Sequence, residues 1–239
     1  MNMVKKGMTF LFAMASFTVI RAQKADEIVN KYVDAIGGKD KLEQLKTVSI
    51  TNTTQVMGNE GPSTTQIING KAFRLDYEIN GQKSTQVFTD KGGWQINPFM
   101  GATTAQPIPD DVFKQSKGQV YYPAPPLYNY AAMGSKVELM GKDGNAYKLK
   151  ITNTDSVETI AYIDAASYYL TKVTRQTNFM GQSMELTVSF SNFKKTEFGI
   201  TIPFTTEINY GGQFAITNNI TKIEFNKTID PAVFEMPKS

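Results

Sequence analysis

The sequence has 239 residues, of which 25 are basic and 22 acidic, and it contains neither cysteine nor histidine. These absences exclude an imidazole base, a thiolate nucleophile, a zinc site built on histidine and a disulfide framework. What remains is a chain rich in apolar and aromatic residues, which favours a binding protein over an enzyme.

The first segment is typical of a secretory signal. Lys5 and Lys6 form a positive n-region, the apolar stretch 8–20 follows, and Ala22 supplies the small residue before a cleavage site. The apolar stretch is shorter than the roughly 20 residues that span a bilayer. We therefore predict that residues 1–22 are a signal peptide, cleaved near Ala22.

The charge balance of the mature chain argues against polyanionic partners. Removal of the three cations in residues 1–22 leaves 22 of the 25 basic residues, against 22 acidic ones. A neutral body without a dense Lys/Arg run gives no electrostatic basis for binding nucleic acid or an anionic membrane surface. Residues 23–239 have a length that single all-β domains commonly reach, and we predict one domain.

A helical pattern opens the mature chain. Apolar residues recur at helical spacing from Ala25 to Ile36, with polar residues on the other side. Gly37-Gly38 is a typical helix end, and a second short helix is predicted from Lys39. We expect the apolar stripe to pack on a sheet.

From Val48 onward, apolar and polar residues alternate, which predicts antiparallel strands with one covered face. Turn signals such as Asn80-Gly81 and Gly211-Gly212 separate the runs. The pattern predicts roughly ten or eleven strands and shows no βαβ alternation. A parallel nucleotide-binding sheet is therefore not expected.

Residues 97–134 interrupt the alternation. This segment holds six of the ten prolines and six aromatic residues, and Pro109-Asp110-Asp111 predicts the start of a short helix. A long excursion of this kind within a β domain is either a functional lid or a structural plug for an open end of the sheet. The residues leave both interpretations open.

Catalytic arrangements are weakly represented. Ser191 and Lys194 match the spacing of a Ser–Lys hydrolase, but the companion motifs are absent and the pair lies at a strand end. The carboxylate pairs Asp110-Asp111 and Asp76/Glu78 are more typical of a helix start and a solvated face than of a glycosidase or a metal site. We predict no catalytic residue, no metal and no cofactor.

The stretch from Lys71 to Phe99 carries the most specific pattern in the chain. It contains Phe73-Arg74 and then the run V-F-T-D-K-G-G-W-Q-I-N-P, which ends at Pro98. This resembles the F-R strand and the following hairpin of the bacterial outer-membrane lipoprotein-sorting proteins, the LolA-like periplasmic carriers. The segments 28–38 and 223–234 resemble the two ends of divergent members, so the matches span most of the mature chain.

The resemblance implies a mainly β, α+β fold. Its expected form is a curved antiparallel sheet or incomplete β-barrel, with the N-terminal helix and a helical or loop lid over an apolar concave face. In carriers of this kind the concave face holds the acyl chains of a lipid-modified client, and each buried methylene contributes about 0.8 kcal/mol. The expected protein is a periplasmic monomer that binds a lipoprotein or other acyl lipid, with a receptor at the inner or outer membrane as a possible further partner.

The candidate site residues follow from this resemblance and from the apolar strand positions. The expected ligand-binding residues are Phe73, Leu75, Phe88, Trp94, Phe99, Met100, Met184, Leu186 and Phe190. The expected lid or gating residues are Lys71, Arg74, Phe113, Tyr121 and Tyr122. In the family a basic residue just before the F-R strand helps to hold the lid shut. Lys71 is an imperfect substitute for that residue, and Arg74 is the alternative.

Three functions remain in order of preference. The first is a non-catalytic periplasmic carrier or binding protein for acyl chains. The second is an envelope stress sensor or regulatory scaffold that uses the same half-barrel. The third is a Ser/Lys or carboxylate hydrolase. Detection of bound lipid would distinguish the first function from the other two.

Overall fold

The computed structural model describes residues 24–125, 127–179 and 182–237. The predicted signal peptide, including its cleavage site, lies outside the described residues. None of the helices in the described ranges is long and apolar enough to cross a membrane.

One antiparallel sheet forms the body of the described chain. Its thirteen strands, in chain order, are β1 Thr47–Val56, β2 Asn59–Ile68, β3 Ala72–Ile79, β4 Gln82–Thr89, β5 Gly92–Asn97, β6 Ala102–Pro107, β7 Lys136–Asp143, β8 Ala146–Thr152, β9 Glu158–Asp164, β10 Leu170–Phe179, β11 Gln182–Lys195, β12 Thr201–Tyr210 and β13 Phe214–Phe225.

The chain builds this sheet from the centre outward. It runs from β1 to the edge strand β6, crosses to the other edge at β7, and returns until β13 pairs with β1. Because β6 and β7 do not pair with each other, the barrel is incomplete. The predicted fold is confirmed, although the described strands outnumber the ten or eleven that the alternation indicated.

Two of the strands lack the usual strand composition. β2 contains Gly61-Pro62, and β6 lies within the proline-rich segment. At Gly61 an added Cβ would lie 1.8 Å from the carbonyl oxygen of Glu78, so only glycine fits this close strand pairing. Tertiary pairing therefore overrides the turn-like composition.

The three α-helices of the described residues lie on one face of the sheet. α1 spans 24–35, α2 spans Lys39–Glu43 and α3 spans Asp110–Ser116, as the sequence predicts. The other helical elements are the short 3-10 helices Pro98–Met100, Lys117–Val120, Leu127–Asn129 and Pro231–Phe234. The apolar stripe of α1 is buried against strands β7 to β9 and β12, where its partners include Val137, Leu149, Ile163 and Ile202.

The segment 97–134 has two roles in the fold. Its first part forms β6 and extends the sheet. Residues 108–130, apart from residue 126, lie over the other half of the face on which α1 packs, and we name them the cover. We name the face beneath α1 and the cover the covered face.

The register determines which strand residues share the covered face. Phe73 pairs with Phe88 and both face the cover, so the adjacent residues Arg74 and Val87 face the opposite side. On that opposite side, Ile229 and Phe234 of the C-terminal segment pack on the sheet. The two faces therefore have separate apolar clusters.

Candidate functional site

An aromatic cluster lies between the sheet and the cover. The ring centroids of Phe73 and Phe88 are 5.9 Å apart, and those of Phe88 and Phe113 are 6.4 Å apart. Phe88 is fully buried at the centre of this cluster. The other apolar members are Val48, Ile50, Ile67, Leu75, Ile108, Val120, Tyr121, Tyr122, Ile220, Ile223 and Phe225. The cluster combines strand residues with cover residues, so the cover completes it.

Gly93 makes room for this packing. It pairs with Phe88 across β4 and β5, and an added Cβ would lie 2.7 Å from the Val87 carbonyl oxygen and 3.0 Å from the Phe88 ring. The same Cβ would lie 3.1 Å from the side chain of Ile108, where the cover begins. The glycine of the G-G-W motif thus has a steric role beneath the cover.

Backbone and amide hydrogen bonds attach the cover to the β2–β3 turn. The Gly70 amide donates to the Val120 carbonyl at 2.8 Å, and the Tyr122 amide donates to Asn69 Oδ1 at 3.0 Å. The side-chain amide of Asn69 also donates to the Leu45 carbonyl at 2.9 Å. Asn69 therefore links the cover to the loop after α2.

A second attachment joins α3 to β10. The Arg175 guanidinium donates to the backbone carbonyl of Gln115, and the Thr177 hydroxyl donates to the Gln115 side-chain oxygen at 3.1 Å. Beyond α3, Lys117 forms a salt bridge of 2.8 Å with Asp155. Each polar contact of this kind contributes about 0.5–1.5 kcal/mol, so the cover is attached by individually weak bonds.

Tyr122 lies where the cover meets the cluster around α1. Its ring centroid is 6.5 Å from that of Phe225, and it packs against both apolar clusters of this face. Burial raises the pKa of Tyr122 and of Tyr32 on α1 well above the usual range, so both phenols stay neutral. Uncharged hydroxyls are compatible with an apolar interior.

Six of the predicted ligand-binding residues share the covered face. Phe73, Leu75 and Phe88 belong to the aromatic cluster. Met184, Leu186 and Phe190 follow the same alternation on β11 and are buried or half-buried, farther along the face. Both groups are also ordinary core positions, so their placement is compatible with either role.

Trp94 lies on the opposite face, away from these residues. It pairs with Val87, is buried under the C-terminal segment, and its indole N–H donates to the Phe234 carbonyl at 3.0 Å. Phe99 lies in the 3-10 helix Pro98–Met100 and is 52% exposed. The structure therefore does not bring Trp94 or Phe99 together with the aromatic cluster.

The predicted gating residues divide in a similar way. Phe113, Tyr121 and Tyr122 belong to the cover, as the sequence suggested. Arg74 lies on the opposite face, where it binds Asp76 at 2.6 Å and donates to the Val233 carbonyl, so it holds the C-terminal segment and does not contact the cover. Lys71 is exposed in the β2–β3 turn.

Sequence reasoning missed the polar residues that attach the cover, namely Asn69, Gly70, Gln115 and Arg175. One signal for Arg175 was available. Val173 is an apolar position of β10, and alternation places Arg175, two residues later, on the same face. A charged residue at a covered strand position is unusual and indicates a specific partner.

A row of apolar side chains crosses the covered face beside the cover. Val188 pairs with Ile208, Ile208 with Ile216, and Ile216 with Val56, so the row crosses four neighbouring strands. All four residues are only half-buried. This row offers an acyl chain an apolar path along the covered face.

A depression of about 460 Å³ lies elsewhere, at the tips of the β1–β2 and β12–β13 hairpins. Its lining includes Gln55, Met57 and Gln213. On the covered face, cover side chains such as Phe113 and Val120 occupy the space against the aromatic cluster. A ligand that binds at the aromatic cluster must therefore displace part of the cover.

Comparisons with known proteins agree on the fold. No protein-family model matches the chain, and no curated protein matches it. Among solved structures, an outer membrane lipoprotein-sorting protein domain from Vibrio parahaemolyticus is 12% identical with a TM-score of 0.55, covering 89% of this chain and 97% of its own. A LolA superfamily protein from Nitrosomonas europaea is 12% identical with a TM-score of 0.58, covering 88% of this chain and 97% of its own.

A DUF1329 family protein from Desulfovibrio piger is also similar, with 10% identity and a TM-score of 0.56 over 88% of this chain and 97% of its own. At these identities the likeness concerns the fold. It confirms at that level the resemblance to LolA-like proteins that the sequence motifs indicated, and it is consistent with a divergent member.

Proposed function

We propose that this protein is a non-catalytic periplasmic carrier or binding protein that holds the acyl chains of lipoproteins or other lipids on the covered face. The observation that carries the proposal is the aromatic cluster, in which Phe113 of the separately attached cover packs on Phe88, beside Phe73 of the sheet. Acyl chains require a dry apolar surface and few directed bonds, and this cluster supplies both.

The energies are compatible with exchange between cover and ligand. A long acyl chain gains on the order of 10 kcal/mol from burial of its methylenes, before the costs of binding are subtracted. The cover is held by individual hydrogen bonds and one salt bridge of about 1 kcal/mol each, together with its apolar contacts. When cover side chains move away from the strand residues, the apolar contacts of a bound acyl chain can therefore replace the contacts that are lost.

Two independent features support the periplasmic location and the client class. The sequence predicts a secretory signal at residues 1–22. The fold is shared with proteins described as LolA superfamily and lipoprotein-sorting domains. We expect the protein to act as a monomer and to pass its ligand to a membrane receptor or accept it from one.

The proposal predicts that the purified protein carries or binds acyl lipid. Native mass spectrometry should detect a lipid adduct after purification without detergent, or after addition of a long-chain fatty acid. Phe113→Ala removes the cover ring that contacts Phe88, so we expect bound lipid to exchange several-fold faster than in the unmodified protein. Val112→Ala is the matched control, because Val112 is exposed on the same helix.

If the protein binds neither endogenous nor added lipid, the carrier proposal fails, and the sensor or scaffold alternative gains support. If lipid binds but exchanges at the same rate in Phe113→Ala, the cover does not control access to the site.

A further inference from the structure

Arg175 is a cation within the covered face, between Val173 and Thr177 on the same face of β10. It pairs across the sheet with Leu186 on β11, and Leu186 pairs with Tyr210 on β12. The adjacent carboxylates Glu185 and Glu207 follow the alternation to the opposite face. None of the salt bridges found among the described residues involves Arg175.

Within the part of the chain that the structure describes, the charge of Arg175 has no anionic partner in a salt bridge and is partly removed from water. Burial lowers the pKa of the Arg175 guanidinium, which reflects the loss of water around its charge. Its hydrogen bond in the structure goes to the Gln115 carbonyl of the cover, which carries only a partial negative charge. Arg175 is half-buried, so water and this one carbonyl compensate its charge only partly, and an anion would compensate it better.

The phenol of Tyr210 lies near the guanidinium, and that of Tyr77 lies near Tyr210. Burial raises the pKa of Tyr210, and the nearby charge of Arg175 opposes this shift, whereas Tyr77 raises the pKa further. Tyr77 belongs to β3, four strands from β12, so the sheet must bend for the two tyrosines to interact. The raised pKa keeps the Tyr210 hydroxyl protonated near neutral pH.

A buried hydroxyl without a hydrogen-bond partner in the described ranges also lies on the covered face, beside Tyr77. Ser84 pairs with Tyr77 across β3 and β4, is 2% exposed, and its Oγ has no hydrogen-bond partner among the described residues. A buried hydroxyl without a partner costs about 1–3 kcal/mol, so a ligand oxygen would be stabilised by it. The covered face thus has an aromatic apolar part and a polar part with a cation and hydroxyl donors.

We infer that this polar region, with Arg175 at its centre, binds the anionic headgroup of the lipid whose acyl chain lies on the aromatic cluster and the neighbouring apolar row. The inference rests on the proposed function and narrows its ligand class to acyl lipids with a carboxylate or phosphate. Arginine suits this task because its planar guanidinium donates two parallel hydrogen bonds to either group. The headgroup takes the place of the Gln115 carbonyl, so headgroup binding also removes one of the two hydrogen bonds that join α3 to β10.

The experiment compares lipids that differ only in headgroup. Isothermal titration calorimetry of the full protein uses oleate, oleoyl lysophosphatidate and the uncharged oleyl alcohol, with inorganic phosphate alone as the free-anion arm. We expect both anionic lipids to bind about 10- to 100-fold more tightly than the alcohol, the range that a charge-assisted hydrogen bond supplies. The anionic lipid that binds more tightly identifies the headgroup as a carboxylate or a phosphate.

Variants of β10 provide the second comparison. Arg175→Met should remove most of the preference for anionic lipids while leaving alcohol affinity within a few-fold, and Arg175→Lys should keep part of it. Lys172→Met is the matched control on the opposite face of the same strand, where Lys172 lies over the Tyr162 ring. It should leave the preference unchanged.

Three outcomes overturn the inference. Equal affinities of the unmodified protein for oleate and oleyl alcohol would show that no headgroup is recognised, while the carrier function stands. Inorganic phosphate that binds as tightly as the lysophosphatidate would show a free-anion site. Binding of no lipid at all would remove the carrier function itself, together with the inference.

Discussion

Replacement of Phe88 by alanine should lower the free energy of unfolding by about 3–5 kcal/mol, the range measured for buried phenylalanines in well-packed cores. Phe88 is 0% exposed and contacts one ring from the sheet, Phe73, and one from the cover, Phe113. Its removal leaves a cavity that the stiff strands beside it cannot collapse to fill. Urea unfolding followed by circular dichroism measures the change.

The control for this variant is Phe99→Ala. Phe99 is 52% exposed on the same part of the chain, so its loss should change stability by less than about 0.5 kcal/mol. Similar effects of the two substitutions would contradict the central position of Phe88. The cover should also loosen in Phe88→Ala. The substitution should increase the hydrogen-exchange rate more in residues 110–120 than in α1.

Trp94→Ala should be destabilising to a similar extent, about 3–5 kcal/mol, for a different reason. Trp94 is the residue on which the C-terminal segment packs, and its indole N–H holds the Phe234 carbonyl. Hydrogen exchange in residues 229–234 should increase most. Circular dichroism is the appropriate probe, because the variant lacks the protein's one tryptophan.

Trp94→Phe separates packing from hydrogen bonding. It keeps an aromatic ring on the opposite face and loses the bond to Phe234, so a cost of about 1 kcal/mol is expected. Because Trp94 does not face the cover, this variant should bind acyl lipid as the unmodified protein does. A large loss of lipid affinity in Trp94→Phe would show that the ligand uses the opposite face.

The sequence predicts the helices and the sheet well, because their patterns are local. The stripe from Ala25 to Ile36 and the alternation in β8 and β11 depend on neighbouring residues alone. The start of α3 at Asp110 follows from Pro109 and the acidic first turn. Closure into a near-barrel was inferred from family resemblance, since alternation does not specify which edges remain open.

The faces of the hairpin strands were harder to predict. Phe73 and Arg74 are adjacent, so they must face opposite sides, and the expected site nevertheless used both. For Trp94 the face depends on the register of β5 against β4, which follows from the two-residue turn Asp90-Lys91. Counting the register from that turn would have placed Trp94 beside Val87.

The attachments of the cover could not be read from local patterns. Asn69 and Tyr122 are 53 residues apart in the chain, and Gln115 and Arg175 are 60 apart. Hydrogen bonds of this kind depend on how the curved sheet brings distant segments together. Asparagine and glutamine at these positions have no distinctive sequence signal. Only the charge of Arg175, at a covered strand position, indicated a specific partner.

The central claim is that acyl chains bind beneath a cover that moves, and a distance measurement tests it directly. The chain has no cysteine, so pairs of introduced cysteines can be spin-labelled selectively. Val112→Cys on α3 and Met57→Cys in the β1–β2 turn place labels at exposed sites on the cover and the sheet. Met57→Cys with Met140→Cys on β7 is the control pair within the sheet.

Pulsed electron–electron double resonance then measures the distance between the two labels of each pair, with and without oleate. We predict that oleate shifts the distance between the labels at 112 and 57 to longer values, while the distance between 57 and 140 stays the same. An unchanged distance between 112 and 57 in protein that has demonstrably bound oleate would contradict the claim.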